Sequence, residues 1–236
     1  MSIHAGGLQV PVSVIIPAAG SGRRMGGGTA KQFLPLRGEP VLVRTVRRFS
    51  ECPLVDEIVI AAGDVEATRA LVGHMPKVTR IVQGGAERQD SVWAALQAVH
   101  SRPRIVAVHD AARPLLTADV LKGVLQAAAD HPAQVVAVPV QDTIKQVGPD
   151  GVVVATPDRS MLWAVQTPQV FWADVLVRAF RQAIADGFLG TDDASLVERI
   201  GVPVRVYRGH PGNLKLTTPT DFRLAELLLE EEARQC

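Results

Sequence analysis

Three features of the 236-residue sequence predict an α/β fold, a mostly parallel twisted sheet with helices on both faces. The first is the run VSVIIPAAG, where Val12, Val14, Ile15, Ile16 and Ala18 leave almost no polar alternation. A strand covered by helices on both sides needs that composition, because neither face meets water. The second is a regular succession of apolar runs and helical patterns along the chain. The third is a loop rich in glycine and cations directly after the first run, where open α/β sheets bind ligands.

In chain order, PVLVRTVRRFSEC reads as a helix with Val41, Val43, Val46 and Phe49 to one side. DEIVIAAG is a strand, and a helix follows around Val65–Val72. TRIVQGG is a short strand ending in Gly84-Gly85, and ERQDSVWAALQAVH places Val92, Ala95, Leu96 and Val99 on one helical face. RIVAVHDAARP is another buried strand, and Thr117 can cap the helix after it. QVVAVPV continues the sheet. The rhythm then breaks: TIKQV and GVVVATP flank Gly148-Pro149-Asp150-Gly151, which predicts a projecting hairpin. Helices near Trp172–Asp186 and Asp193–Ile200 follow, then strands PVRVYRG and NLKLT. In the closing TPTDFRLAELLLEEE, Thr218, Pro219 and Asp221 suit N-cap, N1 and N3. The expectation is one domain over residues 8–236, with an inserted β-arm at 139–171 that packs on a second subunit.

Composition narrows the function classes. Lys and Arg number 25 against 24 Asp and Glu, so no basic excess marks a nucleic-acid partner. Aromatic residues make up 4%, too few for a base-stacking platform. Cys52 and Cys236 are the only cysteines and form no metal or redox spacing, so a reducing, cytoplasmic setting is expected. MSIHAGGLQ lacks the basic and apolar regions of a secretory leader. No apolar run approaches the roughly 20 residues of a membrane helix.

The opening loop, GSGRRMGGGTAKQFLP, carries the most chemistry. Glycine lets backbone N–H groups approach a ligand closely, and Arg23, Arg24 and Lys31 add positive charge around a polyphosphate. No window fits Gly-x-x-x-x-Gly-Lys-Ser/Thr, and Met25 breaks Gly-x-Gly-x-x-Gly. The loop also runs on to Pro35 instead of opening into a helix. A triphosphate cover suits it better than a pyrophosphate clamp. In GGAERQDSV, Gly85 and Ser91 suit either a base or ribose contact or an ordinary β–α turn. In HDAARP, Asp110 could bind Mg²⁺ or a substrate hydroxyl and Arg113 an anion, or the two could form a structural pair. His109 reads as packed. Arg159, Thr167 and Lys215 would each be surface residues if met alone. No Gly-x-Ser-x-Gly elbow offers a hydrolase nucleophile.

PAAGSGRRM with KQF, GGAERQDSV, HDAARP, PVQDTIK, QTPQ and NLKLT occur in this order along nearly the whole chain. Together they resemble the 2-C-methyl-D-erythritol 4-phosphate cytidylyltransferase family. The resemblance implies a Rossmann-like nucleotidyltransferase fold, and a homodimer whose arm reaches the partner's site. It implies CTP and a polyol phosphate as substrates, Mg²⁺ held mainly through the CTP phosphates, and pyrophosphate as the leaving product. By position it makes Ala18, Ala19, Gly20, Gly22, Gly85, Ser91 and Ala111 nucleotide contacts, and Arg24, Lys31 and Lys215 catalytic. Asp110, Arg113 and Thr167 fall on the acceptor side, joined by Thr143 and Arg159 from the neighbouring subunit. No protein metal cluster is implied.

Two other readings stand beside this one. A ribitol 5-phosphate cytidylyltransferase shares most of these motifs. A non-catalytic nucleotide-binding regulator would have no need of Arg24 and Lys31 together.

Overall fold

The computed structural model describes residues 10–20, 30–100 and 103–235. The chain runs β1 (Val12–Ala18), a short pair β2 (Pro35–Leu36) and β3 (Glu39–Pro40), α1 (Val41–Ser50), β4 (Glu57–Ala62), α2 (Val65–Val72) and β5 (Val78–Gln83). It continues through α3 (Arg88–Ala98), β6 (Ile105–Val108), α4 (Ala118–Ala127) and β7 (Ala133–Pro139). A small hairpin, β8 (Gln146–Val147) and β9 (Val153–Ala155), precedes β10 (Trp163–Trp172). The last elements are α5 (Ala173–Ala185), α6 (Asp193–Arg199), β11 (Arg205–Arg208) and α7 (Pro219–Gln235).

Seven strands form one sheet in the order β11-β7-β10-β6-β1-β4-β5. Because β1 is central, its side chains divide between two layers. Val12, Val14, Ile16 and Ala18 pack with Leu42, Val46 and Phe49 of α1 and Leu121, Val124 and Leu125 of α4. Ile15 faces the opposite layer, among Val92 and Ala95 of α3, Leu176 and Phe180 of α5 and Leu196 of α6. The strict alternation of the strand explains why every apolar residue in it is needed. A third cluster, Leu36, Val41, Leu115, Leu216, Ala225 and Leu229, docks α7 against β2 and the start of α1.

The caps read from the sequence are present. The Thr117 side chain accepts from the Val120 N–H, and Thr218 Oγ1 accepts from the Asp221 N–H at 3.2 Å. Asp221 Oδ2 accepts in return from the Thr218 N–H at 2.7 Å, which closes the capping box.

Two expectations about strands are corrected. Residues 163–172, most of them expected in the projecting arm, form β10, which runs antiparallel between β6 and β7. The sequence disguises this because Pro168 lies inside the strand, and proline normally excludes a central position. Here the β7 register shifts between Val165 and Gln169, so the missing N–H falls in a break of the ladder. Residues 213–217 (NLKLT) are not a strand. Their alternation is real, since Leu214 and Leu216 pack on the α7 cluster while Lys215 turns away. They pair with no strand among the described residues, and the segment instead docks through the Leu216 N–H to the Ala112 carbonyl at 2.8 Å.

Candidate active site

From β1 the chain crosses one way to β4 and β5, and β6 then lies on the other side of β1. That reversal opens a crevice at the carboxyl ends of β1 and β6, the place where open α/β sheets hold ligands. A cavity of about 710 Å³ occupies it, lined by Pro17–Gly20, Lys31, Gln32, Gly85–Arg88, Ser91, Asp110–Ala112 and Lys215. Five described segments therefore meet there, held by the bonds that follow.

Behind β1, the Gln32 side chain is buried and donates through Nε2 to the Ala18 carbonyl at 2.7 Å. That bond ties the one-turn 3-10 helix Lys31–Phe33 to the end of the strand and brings Lys31 to the cavity wall. After β5, the Gly84 N–H donates to the Ala62 carbonyl at 2.8 Å, and the Gly85 N–H donates to Ser91 Oγ at 3.1 Å. Ser91 in turn donates to the Glu87 carbonyl. Glu87 and Asp90 cap α3 reciprocally. Gly84 permits a close approach: a Cβ there would lie 2.4 Å from the Ala19 Cβ, so the β1 and β5 loops touch through it.

After β6, the His109 N–H donates to the Ile15 carbonyl and the Asp110 N–H donates to Thr167 Oγ1 at 3.0 Å. His109 is fully buried, with its ring edge-on to Phe49. Burial pushes its pKa down to about 4, so the ring is neutral. Its Nε2 lies 3.0 Å from the Arg113 carbonyl, which can only accept, so Nε2 carries the proton. Nδ1 then accepts from the Thr167 hydroxyl at 3.1 Å. His109 is thus a strut of the loop and is packed as expected.

Asp110 is the electrostatic centre. Its Oδ2 lies 2.8 Å from Lys215 Nζ and 3.7 Å from Arg113 Nε, and its Oδ1 lies 3.3 Å from Arg88 Nε. Burial alone would raise the carboxyl, but Arg88, Lys215 and Arg113 together hold it well below the usual carboxylate range. Arg113 also donates to the Asn213 carbonyl at 2.7 Å. Asn213 Nδ2 donates to the Thr167 carbonyl at 2.9 Å and to Gln166 Oε1 at 3.1 Å. Lys215 reaches the cavity because this buried asparagine anchors its segment.

Ala18, Ala19, Gly20, Lys31, Gly85, Ser91, Asp110, Ala111 and Lys215 all line one cavity. Arg113 and Thr167 do not line it; both stand behind Asp110, and the pairing of Arg113 with Asp110 is structural as well as electrostatic. Thr143 and Arg159 lie on the arm, away from the cavity, with Arg159 bonded to the Gln141 carbonyl. Gly22 and Arg24 lie outside the described residues. The described cavity wall also holds Pro17, Gln32, Ala86, Glu87, Arg88 and Ala112, which are not among the expected site residues. Two of these, Gln32 and Arg88, bond directly to the β1 end and to Asp110. Gln32 sits beside Lys31 in KQF without any distinguishing pattern. Arg88 hides in GGAERQDSV, where its spacing suggests an ordinary first-turn residue, and only the fold brings Asp110 to it.

No helix among the described residues is long and apolar enough to cross a membrane. Comparison with known proteins agrees with the geometry. A family model described as 2-C-methyl-D-erythritol 4-phosphate cytidylyltransferase matches residues 12–231. A protein of that name from Solibacter usitatus is 49% identical over 236 residues, covering 94% of this chain and 97% of its own length. Another from Syntrophus aciditrophicus is 44% identical over 230 residues, with 95% and 98% covered. The solved 4-diphosphocytidyl-2C-methyl-D-erythritol synthase of Anaerococcus prevotii superposes with a TM-score of 0.83 at 28% identity, covering 94% of this chain and 99% of that one. The Thermus thermophilus 2-C-methyl-D-erythritol 4-phosphate cytidylyltransferase gives 0.75 at 33% identity, with 92% and 98% covered.

Proposed function

Because the chain belongs to the 2-C-methyl-D-erythritol 4-phosphate cytidylyltransferase family, we propose that its cavity holds CTP and the acceptor phosphate side by side for cytidylyl transfer. The enzyme transfers the cytidylyl group of CTP to 2-C-methyl-D-erythritol 4-phosphate and releases pyrophosphate, a step of non-mevalonate isoprenoid biosynthesis. The observation that carries the division of the site is the convergence of Lys31 and Lys215 on one cavity from opposite ends of the chain.

The acceptor's phosphate oxygen attacks the α-phosphorus of CTP. A bond forms between them as the bond from the α-phosphorus to the bridging oxygen breaks, and pyrophosphate leaves with that electron pair. A phosphate monoester is already anionic near neutral pH, so the residues need supply no nucleophile. Their work is to bring two anions together in line and to offset the charge that gathers on the α-phosphate and the leaving group. In this reading Ala18, Ala19, Gly20 and Gly22 hold the nucleotide phosphates by backbone groups, Gly85 and Ser91 border the cytosine, and Ala111 borders the ribose. Lys31 and Arg24 stabilise the triphosphate and the developing charge. Lys215 receives the acceptor phosphate and Asp110 an acceptor hydroxyl, while Arg113 and Thr167 keep the Asp110 loop in place.

Mg²⁺ fits as a companion of the nucleotide. Among the described residues no three His, Cys, Asp or Glu side chains form a cluster able to hold a metal. Mg²⁺ readily keeps phosphate and water oxygens as its ligands, so CTP itself would hold it. The carboxylates among the described lining residues, Asp110 and Glu87, are already engaged by Lys215, Arg88 and Arg113 and by the cap of α3. Bound through the nucleotide, the ion would neutralise phosphate charge.

The homodimer belongs to the same reading. Ile144, Val147, Val152, Val153, Val154, Met161, Trp163 and Val165 are exposed, all on or beside the arm. An isolated two-stranded pair is marginal in water, and a second subunit that covers this apolar surface would also receive Thr143 and Arg159. Cys52 is a free buried thiol, which supports a cytoplasmic setting.

The test offers CTP, UTP and ATP with methylerythritol phosphate and with ribitol 5-phosphate, and follows pyrophosphate release. CTP with methylerythritol phosphate is expected to dominate. Preference for ribitol 5-phosphate would reassign the acceptor, and no release with any pair would overturn the enzyme reading.

A further inference from the structure

The charge chain at the cavity wall extends beyond the residues that face the substrates. Arg88 places Nε 3.3 Å from Asp110 Oδ1 and Nη2 2.8 Å from Asp193 Oδ2. Asp193 is 1% exposed and lies outside the cavity lining, in the first turn of α6. A buried carboxylate is costly without a partner. Burial indeed pushes the Asp193 carboxyl up, and Arg88 is the cation that opposes this. Arg88 in turn is held charged by both carboxylates, against its own burial.

Starting α6 does not require this arrangement. Asp192 already caps the helix by accepting from the Ser195 N–H at 2.9 Å. A first-turn aspartate usually stays in water, where it still favours the helix dipole. Here the segment is instead clamped so that Asp193 points inward. Gln89, next to Arg88, donates to the Phe188 carbonyl at 3.0 Å and accepts from the Gly190 N–H at 2.9 Å. On the β10 side, Gln169 donates to Asp192 Oδ2 at 2.7 Å and accepts from the Ala194 N–H at 3.0 Å. Two glutamines, each using both halves of its amide, thus deliver Asp193 to Arg88. Arg88 Nε donates to Asp110 Oδ1, whereas Asp193 Oδ2 makes no aligned hydrogen bond and holds the guanidinium as an ion pair, through the charge of a buried carboxylate. The guanidinium between the two carboxylates keeps Asp110 Oδ1 in place while Oδ2 stays toward Lys215.

We propose that Arg88 and Asp193 are positioning residues for cytidylyl transfer: Asp193 anchors Arg88, and Arg88 orients the Asp110 carboxylate that holds Lys215 at the acceptor end. The proposal rests on the reading of Asp110 and Lys215 given above. Without its anchor, Arg88 collapses onto Asp110 and competes with Lys215 for it.

The test is a double-mutant cycle on the full-length enzyme, with pyrophosphate release measured at saturating CTP while methylerythritol phosphate is varied. Asp193→Asn is expected to lower kcat/KM for the acceptor by about tenfold or more, the scale of a small misplacement. Combined with Asp110→Asn, it should cost no more than about a further twofold, because no carboxylate remains to orient. Multiplied effects would overturn the proposal, since a general loss of structure adds to that of Asp110→Asn. Arg88→Lys keeps the charge and loses the fork, and gives the same cycle should Asp193→Asn fold poorly. It is expected to behave as Asp193→Asn does, and wild-type acceptor kinetics in Arg88→Lys would overturn the proposal. An unimpaired Asp110→Asn would defeat the assignment of Asp110 and this inference together. An impaired Asp110→Asn with multiplied effects defeats the inference alone.

Discussion

Asp110 gathers three cations, Lys215, Arg88 and Arg113, at a wall where burial would otherwise push its proton back on. That surplus of positive charge suits a site that must bring two phosphates together. Lys31 stands across the cavity from this group in the transfer reading, and Lys31→Ala or Arg24→Ala is expected to lower kcat by at least on the order of 100-fold, as losing an electrostatic stabiliser does. Steady-state turnover of the purified variants checks this, and near-normal rates in both would remove the two residues from the catalytic set. His109 predicts a pH effect on stability. Its folded pKa is about 4, whereas an unfolded histidine titrates near 6.5. Between those values the unfolded chain binds the extra proton, so stability falls as pH drops through that window, by on the order of 3 kcal/mol once it is crossed. Denaturant melts from pH 7 to pH 4 should show a slope shallower by about one proton in His109→Gln than in the parent. Equal slopes would mean that His109 is not the neutral strut described.

Among elements, the loops after β1, β5 and β6 matter more than the helices between them. Gly84 is where two of these loops meet, its missing side chain leaving room for Ala19. Gly84→Ala is expected to destabilise by about 1–3 kcal/mol, as overpacking does, and to raise KM for CTP more than KM for the acceptor. Calorimetry and separate titrations of the two substrates would show it, and unchanged CTP kinetics would separate the loop contact from nucleotide binding. The cap of α7 is the contrasting case. Thr218→Ala removes a side-chain cap that does not line the cavity and should cost about 1 kcal/mol in stability with kcat unaltered. At this scale the sequence was legible where a local pattern and its tertiary surroundings agreed, as at Thr117, Thr218 and β1. It misled at residues 163–172 and 213–217. Pro168 concealed a strand in a register break, and the alternation of NLKLT reflects packing on the α7 cluster without strand pairing among the described residues.

For the whole molecule, the arm is where exposed large apolar residues gather. Val153 and Val154 are more than half exposed. In the dimer reading, Val153→Asp with Val154→Asp places charge in an apolar interface and should weaken association by at least about two orders of magnitude. Sedimentation across a concentration range would detect this, with activity falling alongside if Thr143 and Arg159 act across subunits. An unchanged assembly would exclude the arm as the contact. Composition and order of motifs by themselves determined that this chain is an α/β protein with a loop rich in glycine and cations after its first strand, as a phosphate site would need. Local chemistry suffices for that, because a strand buried on both faces must be apolar and a loop that approaches phosphate must be rich in glycine and cations. Only the tertiary structure decided that Gln32, Arg88 and Asp193 belong to the same construction as Asp110 and Lys215. These residues lie far apart in the chain, and charge acts through space. Nothing in the letters near position 193 records that a buried aspartate there will meet an arginine more than a hundred residues earlier.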